Sequence, residues 1–154
     1  MQNEIQHIQD DLKGFSPTSK VWIYFSEMSF SENKNEIQEH INVFIQSWKS
    51  HGDKVYAYGT TIASHIILLV ADIDKGGVSG CSTDSSVHFV QSLEAKYELS
   101  FFDRSLLHYI ENDSFQSVPL SNISNLKTKD INVINPFFND LNDWNKNFLS
   151  KLDG

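Results

Sequence analysis

The residues best suited to chemistry surround Cys81, the only cysteine of the chain. Residues 76–84 have the sequence GGVSGCSTD and are predicted to lead into a helix that begins near Thr83. Backbone N–H groups at a helix N-terminus attract anions and favour the thiolate form of a cysteine. Cys81 is therefore a candidate nucleophile or redox sensor. The residues whose amides could hold a phosphate or a carboxylate are Gly80, Ser82 and Thr83.

The same segment also has a purely structural interpretation. Ser82 or Thr83 can cap the helix while the glycines form the turn, and Cys81 can be a small buried side chain. Asp84, in the first helical turn, opposes an anion or a thiolate because its carboxylate already occupies the positive end of the helix dipole. Both interpretations stay open at the level of sequence.

His51 is the predicted partner of Cys81. The preceding helix has its last apolar residue at Trp48, and His51-Gly52 is typical of a helix end. In the topology predicted below, this end and the start of the next helix meet at the same end of the sheet. The imidazole and the thiol would then face each other, as Cys–His catalysis requires. The alternative is that His51 contacts the last carbonyl groups of its own helix.

Asp103 and Arg104 form a second candidate site, at the start of a predicted strand and at the opposite end of the sheet from Cys81. They could bind a ligand, or they could form a structural salt bridge or a turn contact. No metal site and no cofactor is predicted, because the histidines show no HxH, HxxxH or HExxH spacing. The sequence also lacks the GxxxxGK(S/T), GxSxG and GxGxxG motifs of common nucleotide-binding proteins and hydrolases.

Four strands and two long helices are predicted to position these residues. Apolar residues at helical spacing indicate the helices, and alternating or continuous apolar runs indicate the strands. In chain order the predictions are a strand at 21–25, a helix at about 31–51, strands at 54–62 and 65–72, a helix at about 83–99, and a strand at about 106–111. A hairpin return at 115–118 and a short strand at 131–134 are also predicted.

The order β-α-β-β-α-β is that of a ferredoxin-like fold of the α+β class. The antiparallel sheet of that fold has the strand order 4-1-3-2, so its first and third strands are central. Residues 21–25 and 66–71 are the two continuous apolar runs, and the alternating strands fall at the edges, as this order requires. We therefore predict that the two apolar strands lie side by side in the middle of the sheet.

One domain is predicted for residues 1–154, because this length is typical of a single domain. The core is expected to span about residues 20–118. An additional N-terminal helix is predicted at about 3–13, where apolar residues recur at helical spacing, and an additional C-terminal helix at about 137–152.

Composition argues against several classes of function. Twelve Lys and Arg against twenty Asp and Glu give a net charge of −8, which opposes non-specific nucleic-acid binding because that binding depends on neutralising phosphates. The longest apolar run has six residues, whereas a membrane-spanning helix needs about 20. A single cysteine allows no internal disulfide, and the acidic N-terminal segment lacks the apolar run of a signal peptide. We therefore expect a cytoplasmic protein without membrane insertion.

Several segments taken together resemble a known family. They are residues 21–24 (VWIY), Trp48 with His51-Gly52, residues 79–82 (SGCS) with Asp84 and Val87, Leu93-Glu94 with Tyr97, and residues 102–104 (FDR). From about Pro17 to the fourth strand, the chain resembles short proteins of Bacteroidetes-type bacteria that often carry the label "ABC transporter ATPase". The resemblance implies that the segments around His51 and Cys81 define the family, and it supplies no reaction. An ABC ATPase would need a Walker A loop, which the sequence lacks.

Two kinds of function follow from these observations. The first is a domain without catalysis that binds an unknown protein partner or forms a homodimer, since ferredoxin-like sheets often pair through an exposed face. The alternative is a small anion- or metabolite-binding protein, or a thiol enzyme, that uses Cys81 with His51. We favour the first hypothesis because no motif in the sequence demands chemistry. Neither hypothesis requires nucleic acid or a metal.

Overall fold

The computed structural model describes residues 1–50, 52–72, 74–75, 80–127 and 129–152. Within these ranges the α-helices are α1 (Gln2–Asp11), α2 (Lys34–Ser47), α3 (Gly80–Tyr97) and α4 (Leu141–Asn147). Short 3-10 segments span Ser31–Asn33 and Leu120–Leu126. The strands are β1 (Lys20–Phe25), β2 (Lys49–Ser50), β3 (Asp53–Lys54), β4 (Ala57–Ile62), β5 (Ile66–Ala71), β6 (Leu106–Glu111), β7 (Ser114–Pro119), β8 (Asn132–Ile134) and β9 (Leu149–Lys151). The fold is therefore mixed α+β, as the sequence predicts.

Strand β5 is the centre of a three-stranded antiparallel sheet with the order β1-β5-β4. Every residue of β5 is fully buried, which explains why its sequence is a continuous apolar run rather than an alternating one. Ala71 of β5 pairs with Lys20 of β1 on one side and with Ala57 of β4 on the other. The predicted adjacency of the first, third and second strands of the core is confirmed.

Apolar side chains pack on both faces of this sheet. On one face, α2 and α3 contribute Ile41 and Val90 to a cluster with residues of β1 and β5. On the other face, α1 contributes Ile8, and α4 with the residue that follows it contributes Trp144 and Phe148. Because both faces are covered, the solvent-accessible parts of the sheet are restricted to its edges.

The second sheet is antiparallel and has the order β7-β6-β8-β9. Asn112 and Asp113, between β6 and β7, have positive φ angles of 53° and 61°, the conformation of a two-residue type I′ turn. The predicted hairpin after residue 111 is thus confirmed. The short strand predicted at 131–134 is also present, as β8.

The ferredoxin-like strand order 4-1-3-2 is not confirmed. Strand β6, predicted beside β1, pairs instead with β7 and β8 in the second sheet. Its alternating pattern could not distinguish the two arrangements, and His108, Tyr109 and Ile110 are in fact all buried. Strand β1 is therefore an edge strand of the first sheet, where the sequence predicts a central one.

The C-terminal helix is shorter than the predicted range of about 137–152. Helix α4 begins after Asp140, whose carboxylate accepts a hydrogen bond from the N–H of Asp143 at 2.9 Å and caps the helix. Phe137 precedes the helix and is 76% exposed. After Phe148 the chain returns as β9, so only residues 141–147 of the predicted range are helical.

Candidate functional site

The edge of β1 that faces away from β5 has no strand beside it in the described part of the chain. The N–H of Ser26 donates to the carbonyl of His65 at 2.7 Å, in the same register as the β1–β5 ladder. Backbone groups of successive residues in an antiparallel strand point alternately to its two sides. Trp22 and Tyr24, which share the parity of Ser26, therefore point their backbone groups towards β5.

Val21, Ile23 and Phe25 consequently point their N–H and C=O groups outward, away from β5. No described residue forms a hydrogen bond with any of these outward groups. Val21, Trp22, Ile23 and Phe25 are only half-buried, although their side chains belong to the two apolar clusters of the sheet. This row of free donors and acceptors is the geometry that an additional strand needs.

The opposite edge of the sheet, formed by β4, is partly covered by a helix. The N–H of Asp72 donates to the carbonyl of Tyr56 at 2.9 Å, so the register of the β4–β5 ladder directs the carbonyl of Gly59 outward. That carbonyl accepts a hydrogen bond from Gln38 Nε2 at 3.2 Å. Helix α2 therefore covers part of the β4 edge. At the β1 edge, α4 bonds only to the residues that precede the strand, where Leu141 N donates to the carbonyl of Ser19 at 2.8 Å, and no described residue bonds to the outward groups of residues 21–25.

Helix α3 holds β1 in place from one face. Trp22 Nε1 donates to Thr83 Oγ1 at 3.2 Å, and the hydroxyl oxygens of Tyr24 and Ser86 lie 2.8 Å apart. Burial raises the pKa of Tyr24, so its phenol stays protonated and can keep this hydrogen bond over the ordinary pH range. The strand is thus preorganised, which lowers the ordering cost of docking another strand on it.

Strand β1 carries little of the protection that exposed edges usually have. Natural edge strands often contain charged residues, proline or a bulge, which prevent pairing with another chain. In β1 the only charged residue is Lys20, at the first position. The ring of Phe102 packs 5.5 Å from that of Tyr24 and remains 36% exposed, so it extends the apolar surface near the edge.

The predicted thiol site falls largely outside the described residues. Gly80, Cys81 and Ser82 lie in the first turn of α3, which begins at Gly80 rather than near Thr83. His51 and the side chains of Cys81 and Ser82 lie outside the described part of the chain. The Cys–His pair therefore stays a prediction.

The remaining predicted site residues have partners within the protein or face solvent. The hydroxyl of Thr83 accepts the hydrogen bond from Trp22 described above. Asp103 accepts hydrogen bonds from Ser105 N at 2.9 Å and Ser105 Oγ at 2.5 Å, and these bonds lower the pKa of the Asp103 carboxyl. Arg104 is exposed and has no ion pair with a described residue. Asp103 thus closes the turn before β6.

A stack of four rings, which the sequence analysis missed, joins the two sheets. Phe25, His108, Phe115 and His65 follow one another with centroid separations of 4.4, 5.4 and 4.2 Å. Phe25 and His65 belong to the first sheet or its β4–β5 turn, and the other two rings belong to β6 and β7. The sequence predicts both histidines to lie in strands, His65 at the start of a continuous apolar run and His108 in an alternating one, but no local pattern indicates that residues of two different sheets stack.

The environment of His108 opposes its protonation. Burial, together with the nearby His65, lowers its pKa to about 4, while the carboxylate of Asp103 acts in the opposite direction. Its Nδ1 lies 2.7 Å from Ser117 Oγ, across the β6–β7 hairpin. The neutral imidazole is therefore a structural element of the ring stack at neutral pH.

A shallow cavity of about 300 Å³ lies beside the His65 end of the stack. Its lining includes Glu4, whose carboxylate oxygens accept hydrogen bonds from Ala63 N at 3.0 and 3.2 Å. The amino group of Met1 and the carboxylate of Asp113, also in the lining, form an ion pair at 3.4 Å. The charged groups of Glu4, Met1 and Asp113 are therefore already engaged within the protein.

The described residues contain no group of three or more His, Cys, Asp and Glu side chains placed to hold a metal ion. Within the same ranges, no helix combines the length and the apolar character needed to cross a membrane. No protein-family model matches the chain, and neither a curated protein nor a solved structure matches it. The resemblance noted in the sequence stays a prediction.

Proposed function

We propose that this chain is a protein-interaction module, without catalysis, that docks a partner by strand addition at the outer edge of β1. The observation that carries the proposal is the row of outward N–H and C=O groups of Val21, Ile23 and Phe25, which have no described partner. In strand addition, main-chain hydrogen bonds supply affinity, and contacts of alternate side chains supply specificity.

Two further features support this mode of docking. Trp22 and Tyr24 are tied to α3 through their side chains, so a partner meets a strand that is already ordered. The edge also lacks the interior charge or proline that would exclude a partner. The same edge is where the sequence predicts a fourth strand, and β6 lies in the other sheet instead.

A peptide titration tests the proposal. The peptide contains residues 19–27 of this chain, flanked by lysines for solubility, and is added to the ¹⁵N-labelled protein. We expect the largest amide shifts at Val21, Ile23 and Phe25, because their N–H groups gain new acceptors, and smaller shifts at Trp22 and Tyr24, whose N–H groups already face β5.

A peptide N-methylated at the residue equivalent to Ile23 is the matched control. It should bind at least about tenfold more weakly, because the methyl group removes a hydrogen-bond donor and blocks the approach of the peptide to β1. Shifts confined to other elements, or equal binding of both peptides, would refute docking at β1.

The thiol hypothesis is the second function that the sequence predicts. It requires Cys81 and His51 to meet, and these groups lie outside the described residues. The first turn of α3 does contain Cys81, which agrees with a cysteine at a helix N-terminus. This alternative stays a prediction of the sequence, and the open edge of β1 is the better supported basis for function.

A further inference from the structure

We infer that the partner of β1 is a second copy of this chain, whose β1 pairs antiparallel with the first around a two-fold axis at Ile23. This inference rests on the proposed function, since it names the occupant of the same edge. It joins two sheets of order β1-β5-β4 into one continuous sheet with the two β1 strands at its centre. Strand β1 would then occupy the interior position that its sequence predicts.

The register follows from the direction of the backbone groups. A two-fold axis normal to the sheet and midway between the two Ile23 residues places Val21 opposite Phe25 of the second copy, and Ile23 opposite its own equivalent. All outward N–H and C=O groups then find partners, because these three residues share the outward parity. An axis at Trp22 would instead require the carbonyl of Ser19, which already accepts a hydrogen bond from Leu141 N at 2.8 Å.

The side chains of β1 are compatible with the same register. Trp22 lies opposite Tyr24 of the second copy on the α3 face, and Val21 lies opposite Phe25 on the other face. Aromatic and β-branched residues are the types that stabilise cross-strand pairs. One sequence supplies both side chains of each of these cross-strand pairs. A second copy of this chain therefore fits the edge without requiring a complementary strand from another protein.

Charge also favours this arrangement at the ends of the paired strands. Lys20, the only charged residue of β1, lies opposite Ser26 of the second copy and one residue from its exposed Glu27. No two like charges are placed opposite each other in the pairing, although the whole chain carries a net charge of −8. The paired strands are thus locally free of the repulsion that acts between the two chains as a whole.

Sedimentation analysis of Ile23→Pro and Ile23→Ala separates the backbone contribution from that of the side chain. Proline removes the outward N–H, at a position where edge strands tolerate it, and it places a ring at the symmetry axis. Alanine loses more of the side chain's apolar contacts but keeps the N–H. We expect the wild-type chain to dimerise, Ile23→Pro to raise the dimer dissociation constant at least about 100-fold, and Ile23→Ala to raise it at most about tenfold. Circular dichroism establishes that each variant is folded.

A disulfide test reports on the register without depending on the proline variant. Ile23→Cys in a Cys81→Ser background should form an intermolecular disulfide on mild oxidation, because the two equivalent residues face each other at the axis, at a Cα separation of about 5.5 Å. Val43→Cys in the same background is the control, since this residue is 65% exposed on α2 and distant in the chain from β1. It should crosslink much more slowly.

The outcomes distinguish this inference from the proposed function. A wild-type chain that stays monomeric at all concentrations, but whose β1 amides shift with the peptide, overturns the second copy and leaves strand addition intact. A dimer that persists in folded Ile23→Pro, or that crosslinks equally at residues 23 and 43, overturns the inferred interface. A monomer that also fails to bind the peptide refutes both proposals.

Discussion

Replacing Gly59 by alanine is expected to destabilise the protein by about 2–3 kcal/mol, as measured by urea unfolding. A Cβ atom at residue 59 would lie 2.5 Å from Ile41 Cγ2 and 3.0 Å from Leu69 Cδ2. Both neighbours are fully buried, and the β-branched Ile41 has little rotamer freedom within α2. Helix α2 must therefore move away from β4, which also weakens the hydrogen bond from Gln38 to the carbonyl of Gly59.

Gly14→Ala is the matched control for this prediction. A Cβ atom at residue 14 would meet nothing within 4 Å, and the residue does not have a positive φ angle. The change should alter the free energy of unfolding by at most about 1 kcal/mol, and in the stabilising direction if at all, because alanine restricts the unfolded chain. Equal losses of stability for the two variants would contradict the close packing of α2 on β4.

Acidification from pH 6.5 to about 4 is expected to reduce the stability of the wild-type protein through His108. In the folded state the pKa of His108 is lowered to about 4, whereas the pKa of a solvated histidine in the unfolded chain is about 6.5. Between these values the unfolded chain takes up a proton that the folded chain does not. The contribution of neutral His108 is therefore fully present above pH 6.5 and is lost, by roughly 1.4 kcal/mol per pH unit, as the pH falls through this window.

The variant His108→Phe should keep the ring stack and lose this part of the pH dependence. It also loses the hydrogen bond to Ser117, so its stability at pH 7 is expected to be lower by about 1 kcal/mol. His88→Gln is the control, because His88 lies on the exposed side of α3 and should leave the slope unchanged. Urea unfolding at pH 7, 6, 5 and 4 measures both slopes. A wild-type slope that persists in His108→Phe would mean that other groups cause the acid sensitivity.

The central strand of the first sheet and its two neighbours could be predicted from sequence, because burial on two faces leaves a clear signal in β5. The continuous apolar run at 66–71 predicts a central strand, and β5 is fully buried. The sequence contains no such signal for which strand, if any, pairs with the outer edge of β1. Residues 106–111 fit equally well beside β1 or in a second sheet, and the choice depends on contacts with β7 and β8 that are distant in sequence from β1.

The open edge of β1 also depends on which strands β6 pairs with. The open edge exists because β6 pairs elsewhere, so a prediction that placed the fourth strand beside β1 could not reveal it. Some finer signals were present in the sequence. Asp140 has the residue type of a helix N-cap, and Asp143 lies three residues later, in the first helical turn. This spacing indicates that α4 begins after Phe137. The four-ring stack has no comparable signal, because its members come from separate elements.

Residue-resolved amide hydrogen exchange along β1, in protein dilute enough to be monomeric, reports whether the outer edge of the strand is open. We expect an alternating pattern, in which the amides of Val21, Ile23 and Phe25 exchange rapidly while those of Trp22 and Tyr24 exchange slowly because they bond to β5. Raising the protein concentration should then slow the three rapid amides selectively. Uniformly slow exchange along the whole strand in the monomer would mean that the outer edge is already paired, and it would rule out docking of a partner at β1.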